Sequence, residues 1–162
     1  MPQGTVLGPL LFLVYINDLP NTVRSTVQMF ADGCLVYREI RDIHDTRTLQ
    51  ADLDNLHRWE QDWLMEFNPS KCEAIAFTKK MKLLKGEYKL HNQVLTTVTS
   101  AKYLGVHLSS KLNWNNHVNI TSKQASQTLN FIRRNFSTCR GHIHEQCYKT
   151  LMRAQLEYAS SV

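Results

Sequence analysis

Phe30-Ala31-Asp32-Gly33 sets a single carboxylate between two β-rich runs, 27–31 and 34–39. Asp-Gly between such runs is a strong hairpin signal, because a type I′ turn needs positive φ at both central positions. The sequence therefore predicts Asp32 at a hairpin tip, where a carboxylate can hold a divalent metal over a substrate; taken alone, Asp-Gly is more often an ordinary turn. A second group, Cys139, His142, His144 and Cys147, offers four metal-capable side chains within nine residues. Its spacing matches no paired-cysteine zinc loop, Cys147 falls on a helical stripe and Gly141 marks a break, so helix packing explains the group better than zinc. A third group is basic: Lys79, Lys80, Lys82, Lys85 and Lys89, then Arg133, Arg134 and Arg140, interleaved with Tyr88, Tyr103 and Trp114. Cations that track phosphates beside aromatics that stack on bases make a nucleic-acid groove. A solvated loop and a helix face of snorkelling side chains leave the same pattern. His44, His57, His91, His107 and His117 stand beside no Ser or Cys in a nucleophile setting and read as surface or satisfied core residues.

These groups need elements to hold them. A chain of 162 residues, 43% hydrophobic and 20% charged with few Gly and Pro, is of ordinary globular composition and excludes disordered, collagen-like and low-complexity classes. Its longest apolar run, 6–16, is broken by Gly8 and Pro9 and is too short to span a membrane. With four widely spaced cysteines and no secretory signal, an intracellular protein, cytoplasmic or nuclear and with reduced thiols, is expected. Charge is divided unevenly: residues 1–69 carry 5 basic and 10 acidic side chains, residues 70–162 carry 14 and 4. A polyanion partner for the second part follows naturally, as does a merely solvated basic surface.

The pattern predicts a short buried helix over 10–16, stopped at Pro20, then the Asp32 hairpin. Leu49, Leu53, Leu56, Trp59, Trp63 and Phe67 recur at helical spacing, so a long amphipathic helix is expected over 43–67, with Asp42 and Asp45 at its start and Asn68-Pro69 ending it. Strands are expected at 74–77 and 102–108, a lysine-rich loop at 79–85, and a hairpin around Asn92. Two further helical stripes, Val118 to Phe136 and Ile143 to Tyr158, are separated near Arg140-Gly141 and predict a helical hairpin. The expected class is α+β.

Several ordered motifs then add a family likeness. Met1-Pro2-Gln3-Gly4-Thr5-Val6-Leu7-Gly8-Pro9-Leu10-Leu11-Phe12, Tyr15-Ile16-Asn17-Asp18-Leu19-Pro20 and Phe30-Ala31-Asp32 resemble the reverse transcriptases of non-LTR (LINE-like) retrotransposons. So do Phe67-Asn68-Pro69-Ser70-Lys71-Cys72-Glu73, Lys102-Tyr103-Leu104-Gly105-Val106 and Leu156-Glu157-Tyr158-Ala159-Ser160. The resemblance implies a partial right-hand palm over 1–110, followed by a thumb-like helical segment over 111–162. It implies RNA-templated DNA synthesis with magnesium as cofactor and an RNA template and DNA primer as partners, away from any membrane. Asp32 would be catalytic and a metal ligand, Lys71 catalytic near the departing pyrophosphate, Gln3 and Gly4 close to nucleotide and template, and Leu104 and Gly105 primer-grip-like. Lys79, Lys80, Arg133 and Arg134 would contact the nucleic-acid backbone.

Against the family pattern, Gly33 stands where a second aspartate is expected, and the strand bearing the other aspartate, with the fingers, would precede Met1. Two divalent ions about 4 Å apart repel by roughly 16 kcal/mol at an effective dielectric near 20, which clustered carboxylates must offset. Losing even about 3 kcal/mol of transition-state stabilisation slows a reaction roughly a hundredfold. The expectation is a truncated, catalytically inactive copy. The alternatives are a non-catalytic nucleic-acid-binding remnant or the product of a decayed reading frame.

Overall fold

The computed structural model describes residues 7–79 and 86–160. Helix α1 is Leu7–Tyr15, followed by a 3-10 turn at Leu19–Thr22; strands β1 (Thr26–Phe30) and β2 (Gly33–Tyr37) precede the long helix α2 (Ile43–Trp63). Short strands follow at Glu73–Ile75 (β3), Lys89–Leu90 (β4), Gln93–Val94 (β5), Thr96–Val98 (β6), Ser100–Tyr103 (β7) and Val106–Ser109 (β8). Helix α3 is Asn115–Asn135, then come α4 (Gly141–Cys147), a π-helical turn at Tyr148–Met152 and α5 (Arg153–Glu157). Every sheet among the described residues is two-stranded. The class is mixed helix and strand, as α+β requires. No described helix is long and apolar enough to cross a membrane.

The chain divides into two compact units. One takes the described residues up to Ala74 and those from Gly86 to Thr97; the other takes Ile75–Lys79 and those from Val98 onward. An isolated two-stranded hairpin is marginal in water, so each hairpin depends on the helix it packs against.

In the first unit that support is α2. Asp42 caps it, accepting from the Asp45 N–H at 3.0 Å, and Asp45 in the first turn suits the exposed amides there. Leu56 and Trp59 are buried with Ile16 and Leu19; Phe12, Tyr15, Val27, Met29, Val36 and Leu53 pack around them. Strand alternation explains the β1 contribution, since Val27 and Met29 point inward while Thr26, Gln28 and Phe30 do not. Three buried side chains of α2, Thr46, Asp52 and Glu60, belong to no apolar stripe. Asp52, 1% exposed, accepts from the Arg24 N–H (2.9 Å), the Ser25 N–H (2.9 Å) and the Ser25 hydroxyl (2.5 Å), and so ties the helix to the segment leading into β1.

Four local expectations change. Helix α1 forms, but none of its residues is buried: Leu10, Leu11, Leu13 and Val14 are each more than half exposed. It is apolar all round and meets the core only along the line of Phe12 and Tyr15. Helix α2 stops at Trp63 rather than Phe67, because Leu64 adopts the left-handed conformation (φ 52°) that closes helices. Phe67 still joins the stripe by folding back, its ring centroid 6.3 Å from that of Trp59 and its N–H donated to the Glu60 carboxylate. The single strand expected over 102–108 is a hairpin, β7 paired with β8. The helical stripe Ile143 to Tyr158 is one path in three pieces, interrupted by the π-helical turn.

The second unit is built on α3, which buries Ala125 and Ile132. Thr128 donates to the Gln155 side chain at 3.0 Å, so α5 lies along α3 and the helical hairpin forms.

Candidate functional site

Strands β1 and β2 pair from Thr26↔Tyr37 to Phe30↔Gly33, which leaves Ala31 and Asp32 as the two tip residues. The turn is therefore one residue earlier than Asp32-Gly33. Only Ala31 has positive φ (51°), so the turn follows the type II′ pattern rather than the expected type I′. Asp32 does sit at the tip, exposed. A Cβ placed on Gly33 would stand 3.2 Å from the Phe30 carbonyl oxygen, so a larger residue there needs only a shift of a few tenths of an ångström. Beneath the tip, Asp32, Gly33, Cys34, Phe12, Met29 and Trp59 help to line a shallow apolar recess of about 30 Å³. Burial pushes the Cys34 thiol up to about 11, with Cys72 adding to the rise, so this neighbour stays protonated and uncharged at neutral pH. Among the described residues, Asp32 joins no group of three ligating side chains.

Lys71 ends a 3-10 turn, Pro69–Lys71. Asn68 builds that turn by accepting from the Ser70 N–H (3.0 Å) and hydroxyl (2.6 Å), which leaves the Lys71 side chain in solvent.

In the second unit, β7 and β8 pair to Tyr103↔Val106 and leave Leu104 and Gly105 as a two-residue tip. Both have positive φ (46° and 81°), so the type I′ turn expected at Asp32 is found here instead. Tyr158 holds this tip: its hydroxyl donates to the Leu104 carbonyl at 2.8 Å, and a Cβ on Gly105 would come within 2.8 Å of the Tyr158 ring. Glycine is needed at this position both for the backbone and for the close approach. Two motifs 54 residues apart, Leu104-Gly105 and Leu156-Glu157-Tyr158, are thus one packed feature.

Arg133 and Arg134 lie exposed in the last turn of α3, where cations complement the helix dipole, and Lys79 is exposed in the same unit. Trp114, 43% exposed, sets its ring edge-on to His117 with centroids 6.2 Å apart. Gln3, Gly4 and Lys80 lie outside the described residues, as does most of the lysine-rich stretch.

His144 of the Cys139–Cys147 group hydrogen-bonds the Phe136 carbonyl at 2.6 Å and, among the described residues, joins no metal-capable cluster. Two groupings escaped sequence reasoning. The Asp52 clasp has no pattern in sequence, since its donors lie 27 and 28 residues away. The other brings together His57, Glu60 and His91, of which only the His57/Glu60 spacing on one helix face was visible.

The sequence pattern of the family described as "Reverse transcriptase (RNA-dependent DNA polymerase)" matches residues 1–108. Among curated proteins, the chain is 30% identical over 143 residues to a probable RNA-directed DNA polymerase from transposon BS of Drosophila melanogaster, covering 82% of this chain and 16% of that protein. It is 34% identical over 125 residues to a probable RNA-directed DNA polymerase from transposon X-element of the same organism, covering 73% and 14%. To the RNA-directed DNA polymerase from mobile element jockey of Drosophila funebris it is 31% identical over 137 residues, covering 78% and 14%. The chain thus spans between 14% and 16% of the length of these relatives. No solved structure matches.

Proposed function

The chain belongs to the reverse transcriptase family, with the RNA-directed DNA polymerases of non-LTR retrotransposons as its relatives, and from that premise we propose that it is a palm-and-thumb portion of such an enzyme that binds primer–template without copying it. Residues 1–110 correspond to palm and 111–162 to thumb. The observation that carries this reading is the tip Ala31-Asp32 followed by Gly33, one exposed carboxylate on a hairpin where a pair is expected.

A magnesium pair does not fit these residues. Each hard divalent ion takes about six oxygen ligands, several of them carboxylates shared between the ions. At the tip Asp32 is a single donor, its neighbours Ala31, Gly33 and Cys34 offer no further carboxylate, and no other described side chain completes a ligand group with it. No catalytic step is derived through such a pair. Lys71, exposed and held by the Asn68-capped turn, is free to meet phosphate but has no polarised leaving group to assist.

What persists is a surface suited to nucleic acid. The basic excess after residue 69, the exposed Arg133 and Arg134, Lys79, and the half-exposed Trp114 supply phosphate contacts and a stacking face. The Leu104-Gly105 tip, held by Tyr158, is the segment that resembles a primer grip. The RNA template and DNA primer are the expected partners.

Primer extension with magnesium and then manganese tests the first part; no template-dependent product is expected, and product would refute inactivity. Binding to an RNA–DNA primer–template tests the second. Affinity should fall steeply with salt, and Arg133→Ala with Arg134→Ala should flatten the log–log slope by about 1 per cation removed. Absence of binding at low salt would end this reading.

A further inference from the structure

We propose that the first unit holds a zinc ion between His57 and Glu60 of α2 and His91 at the tip of the β4–β5 hairpin. The site shares no residue with the Asp32 tip.

The three side chains already converge. Glu60 is 4% exposed, and its Oε2 faces His57 Nδ1 at 3.0 Å and His91 Nε2 at 2.5 Å. The two imidazole centroids are 4.6 Å apart, and the three ligating atoms all lie within 4.8 Å of one another. Glu60 Oε1 is separately occupied by the Phe67 N–H, which fixes the carboxylate plane and leaves Oε2 for the histidines. Two neutral imidazoles and one carboxylate form a borderline donor set that suits zinc better than magnesium or calcium.

Local structure aims each ligand. His57 and Glu60 are three apart and share a face of α2. His91 and Asn92 form a two-residue tip between Leu90 and Gln93, both with positive φ (50° and 60°), which is a type I′ turn. Histidine and asparagine are among the non-glycine residues that tolerate that conformation best, and here it delivers the His91 ring to Glu60. The hairpin is independently docked on α2 by Gln50, which accepts from the Lys89 N–H at 2.8 Å and donates to the Lys89 carbonyl at 3.0 Å. Gly86 permits the approach, since a Cβ there would collide with the Thr46 side chain.

Tetrahedral zinc at about 2.0–2.1 Å from each donor places neighbouring ligand atoms roughly 3.3 Å apart. The His91–Glu60 contact must therefore open by less than about 1 Å, a rotamer adjustment of His91 at the hairpin tip. Binding moves the His57 proton from Nδ1 to Nε2, where Gln61 at 3.4 Å presents its amide oxygen after a flip. A cleft of about 380 Å³, bordered by Gln50, Asp54, His57, Lys89, His91 and Asn92, gives the ion a way in and room for water as fourth ligand. Without metal the same three groups make a hydrogen-bonded triad, which is the competing account.

Titrating the full chain with zinc chloride in a calorimeter separates the two. One ion per chain is expected, with micromolar or tighter affinity, and a melting temperature raised by roughly 5 °C or more at saturating zinc. His57→Gln and His91→Asn should each weaken binding at least a hundredfold; asparagine tolerates left-handed φ, so the turn survives. Cobalt provides a readout on the unmutated chain: visible bands of a four-coordinate ion without thiolate charge-transfer absorption. No binding, binding unchanged in both variants, or a thiolate band would overturn the proposal.

Discussion

The Ala31-Asp32 and Leu104-Gly105 tips are both two-residue turns of antiparallel hairpins, yet they are held in opposite ways. The first is carried from below. Val27, Met29 and Val36 pack on Trp59 and Leu56, the Asp52 carboxylate clamps the approach to β1, and the tip itself is exposed. The second is gripped at the tip, where Tyr158 bonds the Leu104 carbonyl and closes over Gly105. A tip carried from below can change its exposed Asp32 with little effect on its shape, because the packing that holds the hairpin lies in β1, β2 and α2 beneath it. A tip gripped from above cannot. Gly33, paired with Phe30 where β2 begins, faces only the Phe30 carbonyl oxygen, whereas Gly105 has almost no freedom to change.

The largest effect should come from removing the clamp. Asp52→Ala leaves two backbone N–H groups and a buried hydroxyl unpaired, and is expected to destabilise the first unit by about 3 kcal/mol in chemical denaturation. A loss under about 1 kcal/mol would mean that apolar packing alone carries the Asp32 hairpin. Gly105→Ala meets both a φ of 81° and the Tyr158 ring, and should remove about 2 kcal/mol, read as faster amide exchange across β7–β8. Tyr158→Phe deletes one hydroxyl bond and should lower stability by at most about 1 kcal/mol, again with the exchange confined to that hairpin. Unchanged exchange would put the two tips on the same footing.

The smallest effect concerns pH. The Arg41 N–H first, then Arg38 and the Asp42 backbone contact, hold the Asp45 carboxyl below its ordinary 3.8. Folding lowers this pKa, so the contribution is present above pH 3.8 and disappears as pH falls below it. Asp45→Asn should lower the melting temperature slightly at neutral pH and converge with the unaltered chain as pH falls well below 3.8, which flattens the acid limb of the stability curve.

Much of this was legible in the residues. Apolar spacing pointed to α2 and the helical hairpin because burial has the helical period, and Asp32-Gly33 between β-rich runs pointed to the first tip. Boundaries were less legible. Leu64 carries no signal for left-handed closure, being a residue that disfavours it; the contact of Phe67 with Trp59 and Glu60 is what makes it worthwhile. Asp32-Gly33 pointed to a type I′ turn, but register set by the inward faces of Val27, Met29 and Val36 placed the turn one residue earlier. The strand expected at 102–108 became a hairpin for the converse reason: Leu104-Gly105 looked like strand interior until Tyr158 supplied the tip contact. Long-range polar groupings, Asp52 with Ser25 and His91 with Glu60, have no period and could not be read at all.

The central claim is that one carboxylate at the Asp32 tip cannot seat an ion pair. Manganese titration, followed by paramagnetic broadening of the resonances around Asp32 in the unaltered chain and in Gly33→Asp, tests it directly. A second carboxylate facing a divalent ion at about 4 Å in a water-like dielectric adds about 2 kcal/mol, or roughly thirtyfold in affinity. The account expects weak, single-ion broadening that tightens by that factor in the variant. Two manganese ions bound tightly at the tip of the unaltered chain would contradict it.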